Sequence, residues 1–185
     1  VPFDIHVHDT YFVVAHFHYI VYGGTVFVIF ASIYHWYPKV TGRLLNEDLG
    51  RLHFLLTFVG FNLCFAPQHW LGLNGMPRRV AEYDPQFELI NQLSSVGALL
   101  MAISTLPFLL NVVLSAFNGA PAGDNPWNAL TPEWLTSSPP PVENWKGEAP
   151  LVTEPYGYGT PADELPLAAT SGSELWKLGN SDQRS

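Results

Sequence analysis

Residues 4–19, Asp4-Ile5-His6-Val7-His8-Asp9-Thr10-Tyr11-Phe12-Val13-Val14-Ala15-His16-Phe17-His18-Tyr19, hold four of the chain's seven histidines and two of its sixteen acids. Imidazole nitrogen and carboxylate oxygen are metal ligands, and neutral imidazole is an axial base for haem iron. His16 and His18 lie within a run of 29 residues, 10–38, that contains no Asp, Glu, Lys or Arg. Ionisable groups inside so apolar a run are costly to bury, and they usually mark a functional site. Positions i and i+2 of a helix are turned by about 200°. These two imidazoles therefore leave one helix on opposite sides at nearly equal depth. Such a pair cannot share one small ion, but it can serve two centres, and macrocycles standing upright between helices are the natural ligands. A strand would put both rings on one face and suit a single metal, but the uncharged run is too long for a strand. The bland alternative is two core histidines satisfied by backbone or hydroxyl partners.

His8 and Asp9 precede that run. A borderline nitrogen beside a hard oxygen suits Mg²⁺ or Mn²⁺ completed by waters, or half of another site. Alternatively, Asp9 and Thr10 simply cap the helix that follows. Further along, Gly75-Met76-Pro77-Arg78-Arg79 sets two arginines side by side. They could snorkel to lipid phosphate or pair bidentately with carboxylates, such as the propionates of a haem.

The elements that must carry these residues are apolar and long. Residues 52–77 form a second uncharged run of 26, and residues 89–123 a third of 35. About 20 residues at ~1.5 Å rise cross a ~30 Å hydrocarbon layer, and a Lys, Arg or Asp at the centre of such a helix costs roughly 2.5–3.5 kcal/mol. Helices buried in a soluble bundle would keep a charged face; residues 21–33 and 96–113 offer only Gly, Ser, Thr, Tyr and Asn in its place. We therefore expect an all-α membrane protein with spans at about 10–38, 52–74 and 89–118. Gly23, Gly24, Gly60 and Gly97 suit close helix packing in lipid. Tyr11, Tyr34, Trp36, Tyr37 and Trp70 fall where an aromatic belt would. The loop with Lys39, Arg43 and Arg51 is expected inside, by the excess of positive charge. Residues 1–9 and 75–88 are then expected together outside, so that Arg78 and Arg79 reach the level of His8 and Asp9. His35, His53 and His69 read as structural residues at span ends, and Cys64 as inert packing.

The remainder, 119–185, is an irregular tail on the cytoplasmic side. It holds 10 of the 16 prolines and 9 of the 16 acids. Trp127, Trp134 and Trp145 suggest that 119–150 folds along the membrane face, while 151–185 is expected to be mobile. The net charge of −8 and the absence of a basic patch argue against nucleic-acid binding. A single cysteine permits no internal disulfide. With no initiator Met and no signal-peptide pattern, the natural chain is expected to start far upstream.

The run from His8 to Tyr19 resembles the central signature of subunit I of the haem-copper cytochrome c oxidases. Pro67-Gln68-His69-Trp70-Leu71-Gly72 and residues 75–79 resemble its next stretch. Asn125-Pro126-Trp127, Glu133-Trp134 and Ser137-Ser138-Pro139-Pro140 resemble the tail of bacterial members. The resemblance covers about residues 1–150 and implies the last three helices of a twelve-helix bundle. It implies His16 as proximal ligand of a high-spin haem, where oxygen binds, and His18 as one axial ligand of a low-spin haem, with Phe17 between the two haems. It implies Mg²⁺ or Mn²⁺ at His8 and Asp9, and haem propionates paired with Asp4, Arg78 and Arg79. Haems of the a type are implied in the same way. The copper ligands and the second axial histidine of the low-spin haem would lie upstream, outside this chain. Phe12 stands where mitochondrial members have Tyr, which removes one local hydrogen bond.

On this resemblance the chain would be part of a proton-pumping terminal oxidase of an aerobic respiratory chain, in the bacterial plasma membrane or another energy-transducing membrane. Its partners would be the rest of subunit I, subunits II and III, cytochrome c or a similar small carrier, oxygen and the lipid bilayer. The fragment alone would not be active. A quinol oxidase of the same superfamily shares all these motifs. A non-oxidase di-haem carrier would need facing histidines that the second and third spans lack at mid-depth. A metal transporter using His6, His8, His16 and His18 is disfavoured by the divergence of the last two.

Overall fold

A computed structural model describes residues 2–129 and 131–145. The element order is α1 (Pro2–Val7), α2 (Tyr11–Val21), a π-helical turn (Tyr22–Val26), α3 (Phe27–Thr41), α4 (Glu47–Leu73) and α5 (Glu88–Asn118), with short 3₁₀ turns at Pro85–Phe87 and Pro132–Leu135. Three helices are long and apolar enough to cross a membrane: Tyr11–Thr41, Glu47–Leu73 and Pro85–Asn118. No strand occurs among the described residues, only isolated bridges. The chain is an all-α integral membrane protein.

Two compact units are present. The first comprises Val1–His35 with Leu45–Asn118, and it is inside out relative to a soluble bundle. The inward positions of α5 are Ser94, Gly97, Ser104, Pro107, Asn111 and Ser115, whereas Leu99 is 61% exposed and Phe117 76%. Large apolar side chains are left outside because lipid solvates them as well as a neighbouring helix would. Small and hydroxylated residues go inside because they permit close approach and hydrogen bonding between helices. A Cβ on Gly97 would fall on the Cys64 backbone, and one on Gly60 would lie 2.9 Å from Met101 N. The seam carries Thr57 Oγ1 to Ser104 Oγ (2.8 Å), Gln68 Nε2 to Ser94 Oγ (2.8 Å) and Ser94 Oγ to the Cys64 carbonyl (2.7 Å). Asn111 both donates to Asn46 O and accepts from Asn46 N, each at 2.8 Å, closing the end where α4 begins. Cys64 is buried in this seam. His53 is buried as well, its Nδ1 3.2 Å from the Tyr34 hydroxyl and its ring edge-on to Phe30.

Gly23 and Gly24 do something other than pack helices. Nothing lies within 4 Å of a Cβ on Gly24, and one on Gly23 would only graze Phe61 at 3.9 Å. Both sit in the π turn, where Phe27 N bonds back to Tyr22 O. The extra residue rotates α3 by about 100° relative to α2, so the long helix does not keep one face along its length.

The second unit joins Trp36–Leu44 to the tail from Gly119. Arg43 bridges to Pro121, Leu44 N donates to Ala120 O (2.8 Å) and Ala122 N to Gly42 O (3.0 Å). Gly42 has φ +71°, and a Cβ there would meet the Ser138 carbonyl at 2.9 Å. At the centre is Lys39, only 6% exposed. Its ammonium donates to the carbonyls of Asp124 (2.9 Å) and Thr136 (2.7 Å) and stands 5.0 Å from the Trp134 ring centroid. A buried charge must be paired or hydrogen-bonded, and this one is met by carbonyls of the part of the tail whose tryptophans suggested folding. Residues 151–185, where mobility was expected, lie outside the described residues.

Candidate cofactor site

The site residues gather where α2 begins and α4 ends. Asp9 adopts φ +55°, a left-handed conformation that Asp tolerates better than most residues, and it terminates α1. Thr10 caps α2: its hydroxyl accepts from Phe12 N at 3.2 Å and donates to Val7 O at 2.6 Å. The cap is thus Thr10 by itself; Asp9 is used elsewhere. Thr10 forms an antiparallel bridge with Pro77, Tyr11 N donates to Met76 O (3.1 Å) and Arg78 N to Asp9 O (2.9 Å). The α4–α5 connection is thereby tied to the start of α2. Met76 and Leu71 are fully buried there with Phe87.

The same contact brings two sequence-distant charges together. Arg78 Nε donates to Asp9 Oδ1 at 2.7 Å, and Arg78 Nη2 pairs with the same oxygen. Asp9 Oδ2 faces His8 Nε2 at 3.2 Å. The hydrogen bond and charge of Arg78, aided by His8 and Arg79, outweigh a small desolvation and hold the Asp9 carboxyl below its ordinary range. Asp4 Oδ2 stands 4.0 Å from His8 Nδ1, and both side chains are largely exposed. Arg79, at φ +63°, is exposed. His6 is also exposed.

Lower on α2 the two histidines part. Positions 11, 12, 15, 18 and 19, continued by Tyr22 of the π turn, form the stripe laid on α4: Phe12 meets Gly72, Ala15 is fully buried, Tyr19 donates to Asn62 Oδ1 at 2.8 Å, and Tyr22 stacks on Phe61. His18 belongs to this stripe. Its ring lies on Phe65 with centroids 4.1 Å apart and planes 15° from parallel, and Phe17 flanks it at 4.3 Å. His18 Nδ1 donates to the Val14 carbonyl at 2.8 Å, which leaves the Nε2 lone pair as the free donor. His16 is off the stripe and exposed.

These donors fit haem iron on chemistry: each is an imidazole, and in His18 one nitrogen is fixed by a carbonyl, as metal-bound imidazoles usually are. His8 and Asp9 fit a divalent cation as an adjacent nitrogen and oxygen, though Arg78 already occupies one carboxylate oxygen. No group of three or more His, Cys, Asp or Glu placed to hold a metal occurs among the described residues.

Sequence reasoning missed two participants. Phe65 is one of many apolar residues in a long span, and nothing marks it as the partner of His18. Gly72 is buried where α4 meets α2, at a point where any Cβ would strike Phe12; the hints were a glycine between leucines and its place at the end of the Pro67–Gly72 stretch.

Residues 1–100 match the family model described as Cytochrome C and Quinol oxidase polypeptide I. The chain is similar to a protein of Thermostichus vulcanus named "Cytochrome c oxidase subunit 1", with 61% identity over 159 residues, 85% of this chain and 29% of that protein. A protein of the same name from Synechocystis sp. is 58% identical over 86% of this chain and 29% of its own length. The "Alternative cytochrome c oxidase subunit 1" of Bradyrhizobium diazoefficiens is 45% identical over 85% of this chain and 28% of its own length. The chain thus spans less than a third of the curated relatives it matches.

Proposed function

The chain belongs to the cytochrome c and quinol oxidase polypeptide I family, and we propose that it is the haem-ligating part of the first subunit of a bacterial cytochrome c oxidase. In this reading the intact protein would oxidise reduced cytochrome c, reached through a partner subunit, and reduce oxygen to water with proton pumping, and this chain would supply residues that hold its two haems. Bound haem would supply the electron-accepting and oxygen-reducing chemistry, with copper held by residues other than those described.

The protein residues have distinct tasks. His18 would hold the low-spin haem, its ring oriented by the Val14 carbonyl and Phe65. His16, on the exposed side of α2, would hold the high-spin haem. Phe17 sits between them in sequence and beside His18 in space. Arg78 and Arg79, with Asp4, meet propionates at the polar end. His8 and Asp9 contribute two ligands to Mg²⁺ or Mn²⁺, with others from outside the chain. Asp9 is kept ionised by Arg78 and so is ready to ligate.

The observation that carries this reading is the divergence of His16 and His18, one exposed and one laid on α4, two positions apart on the same helix. A single-ion transporter would need the two rings to converge. The matching family model covers quinol oxidases too, while the relatives named above are cytochrome c oxidases, which favours cytochrome c as donor. In the intact oxidase, His18→Ala should abolish the low-spin haem absorption band and leave the high-spin band. A low-spin band that survives His18→Ala would refute the assignment.

A further inference from the structure

We infer that Gly72 and the Thr10 cap together form a stop that fixes the height and rotation of α2, and thereby where His16 and His18 present their ring nitrogens. This rests on the haem-ligand reading above. Gly72 is fully packed, and a Cβ there would fall on Phe12 N, lying 2.5 Å from Phe12 Cβ and 2.6 Å from Phe12 Cα. Two of those three atoms are backbone, so no rotamer change relieves the overlap. Ordinary carbon contacts are at about 3.5–4.0 Å, so a methyl group at Gly72 must drive the two helices apart by on the order of 1 Å.

That displacement is delivered one helical turn before His16, since Phe12 and His16 are four residues apart on α2. The helix is stiff between them, so the shift carries to both imidazoles. Just above Gly72, the backbone of α2 is pinned to the Arg78 connection by Tyr11 N to Met76 O (3.1 Å) and Arg78 N to Asp9 O (2.9 Å). Thr10 Oγ1 holds the first turn of α2, donating to Val7 O and accepting from Phe12 N, the same nitrogen a Cβ at Gly72 would strike. Gly72 and Thr10 therefore bracket Phe12, and moving either changes the offset between the histidines and the Arg78 end of α4. Gly60 provides the contrast. Its absent Cβ faces Met101 and the Gly97 carbonyl on α5 at 2.9–3.0 Å, and α2 is not involved.

The test uses the intact oxidase with single substitutions in its first subunit. Gly72→Ala should shift the absorption band and the midpoint potential of the low-spin haem. Gly60→Ala should lower thermal stability and leave both spectral properties as in the parent. If Gly72→Ala yields no assembled complex, Thr10→Val is read in the same way, because it keeps the side-chain volume and removes both hydroxyl bonds of the cap. Unchanged bands and potential in assembled Gly72→Ala, or in Thr10→Val when the first variant does not assemble, overturn the inference. Failure of the ligand reading itself looks different: there the low-spin band would survive His18→Ala.

Discussion

Replacing Lys39 with methionine isolates what holds the tail. The side chain is almost completely buried, and its ammonium makes two short hydrogen bonds, to Asp124 O at 2.9 Å and Thr136 O at 2.7 Å, with Ser137 O at 3.5 Å adding little. Hydrogen bonds to a charged group contribute about 1.5–3 kcal/mol each, so the two good ones amount to roughly 3–6 kcal/mol. Contact with the Trp134 ring adds about 1 kcal/mol. Against this stands the cost of desolvating the ammonium, which the variant no longer bears. Methionine keeps most of the stem's packing, but it takes the ammonium donor from both carbonyls, leaving Asp124 O with Ser138 Oγ at 3.2 Å. We expect a net loss of about 3 kcal/mol in the closure of this unit, which at 1.4 kcal/mol per tenfold is about a hundredfold rise in its open population. Proteolysis tracks that population when closing is faster than cleavage. Limited digestion of the oxidase in native membranes should therefore cut the 119–145 segment of Lys39→Met far faster than that of the parent. Val40→Met, at the next and exposed position, should leave the rate unchanged. Equal cutting of Lys39→Met and parent would refute the reasoning, since it would mean that the carbonyl cage contributes nothing to closure.

His16→Ala should abolish carbon monoxide binding by the reduced high-spin haem while the low-spin band persists; normal carbon monoxide binding would place the iron on another residue. Ser104→Ala removes the acceptor for Thr57 but leaves Thr57 Oγ1 within 2.8 Å of the His53 carbonyl. Interhelical hydrogen bonds in membranes average about 0.6 kcal/mol, so this variant should lower the thermal midpoint only slightly; a loss of several kcal/mol would mean that the α4–α5 seam depends on hydroxyl bonding more than on close approach.

Much of the site is legible in the chain because its spacing is local. His16 and His18 diverge on any helix, whatever surrounds it. Spans are legible because lipid excludes charge, and that exclusion leaves three empty windows. What stayed hidden depends on contacts between distant residues. Asp9 read as half of a cation site with His8 or as half of a helix cap, and only the approach of Arg78, sixty-nine positions away, turns it into an ion-paired carboxylate. Gly23 and Gly24 looked like packing glycines because composition cannot separate a helix contact from a π turn. Lys39 looked like one of several loop cations that set orientation, since its carbonyl partners belong to a segment with little periodicity.

By itself, then, the sequence determined which residues could ligate, on which sides of one helix they emerge, and that three helices need lipid. Those properties follow from helical geometry and from the cost of charge in hydrocarbon. Tertiary structure decided how those residues are held: His18 against Phe65, Asp9 against Arg78, α2 against Gly72 and the tail around Lys39. Each of these is a match of shape or charge between segments far apart in the chain. No local pattern encodes such a match, because it exists only once two backbones have come within a few ångströms of each other.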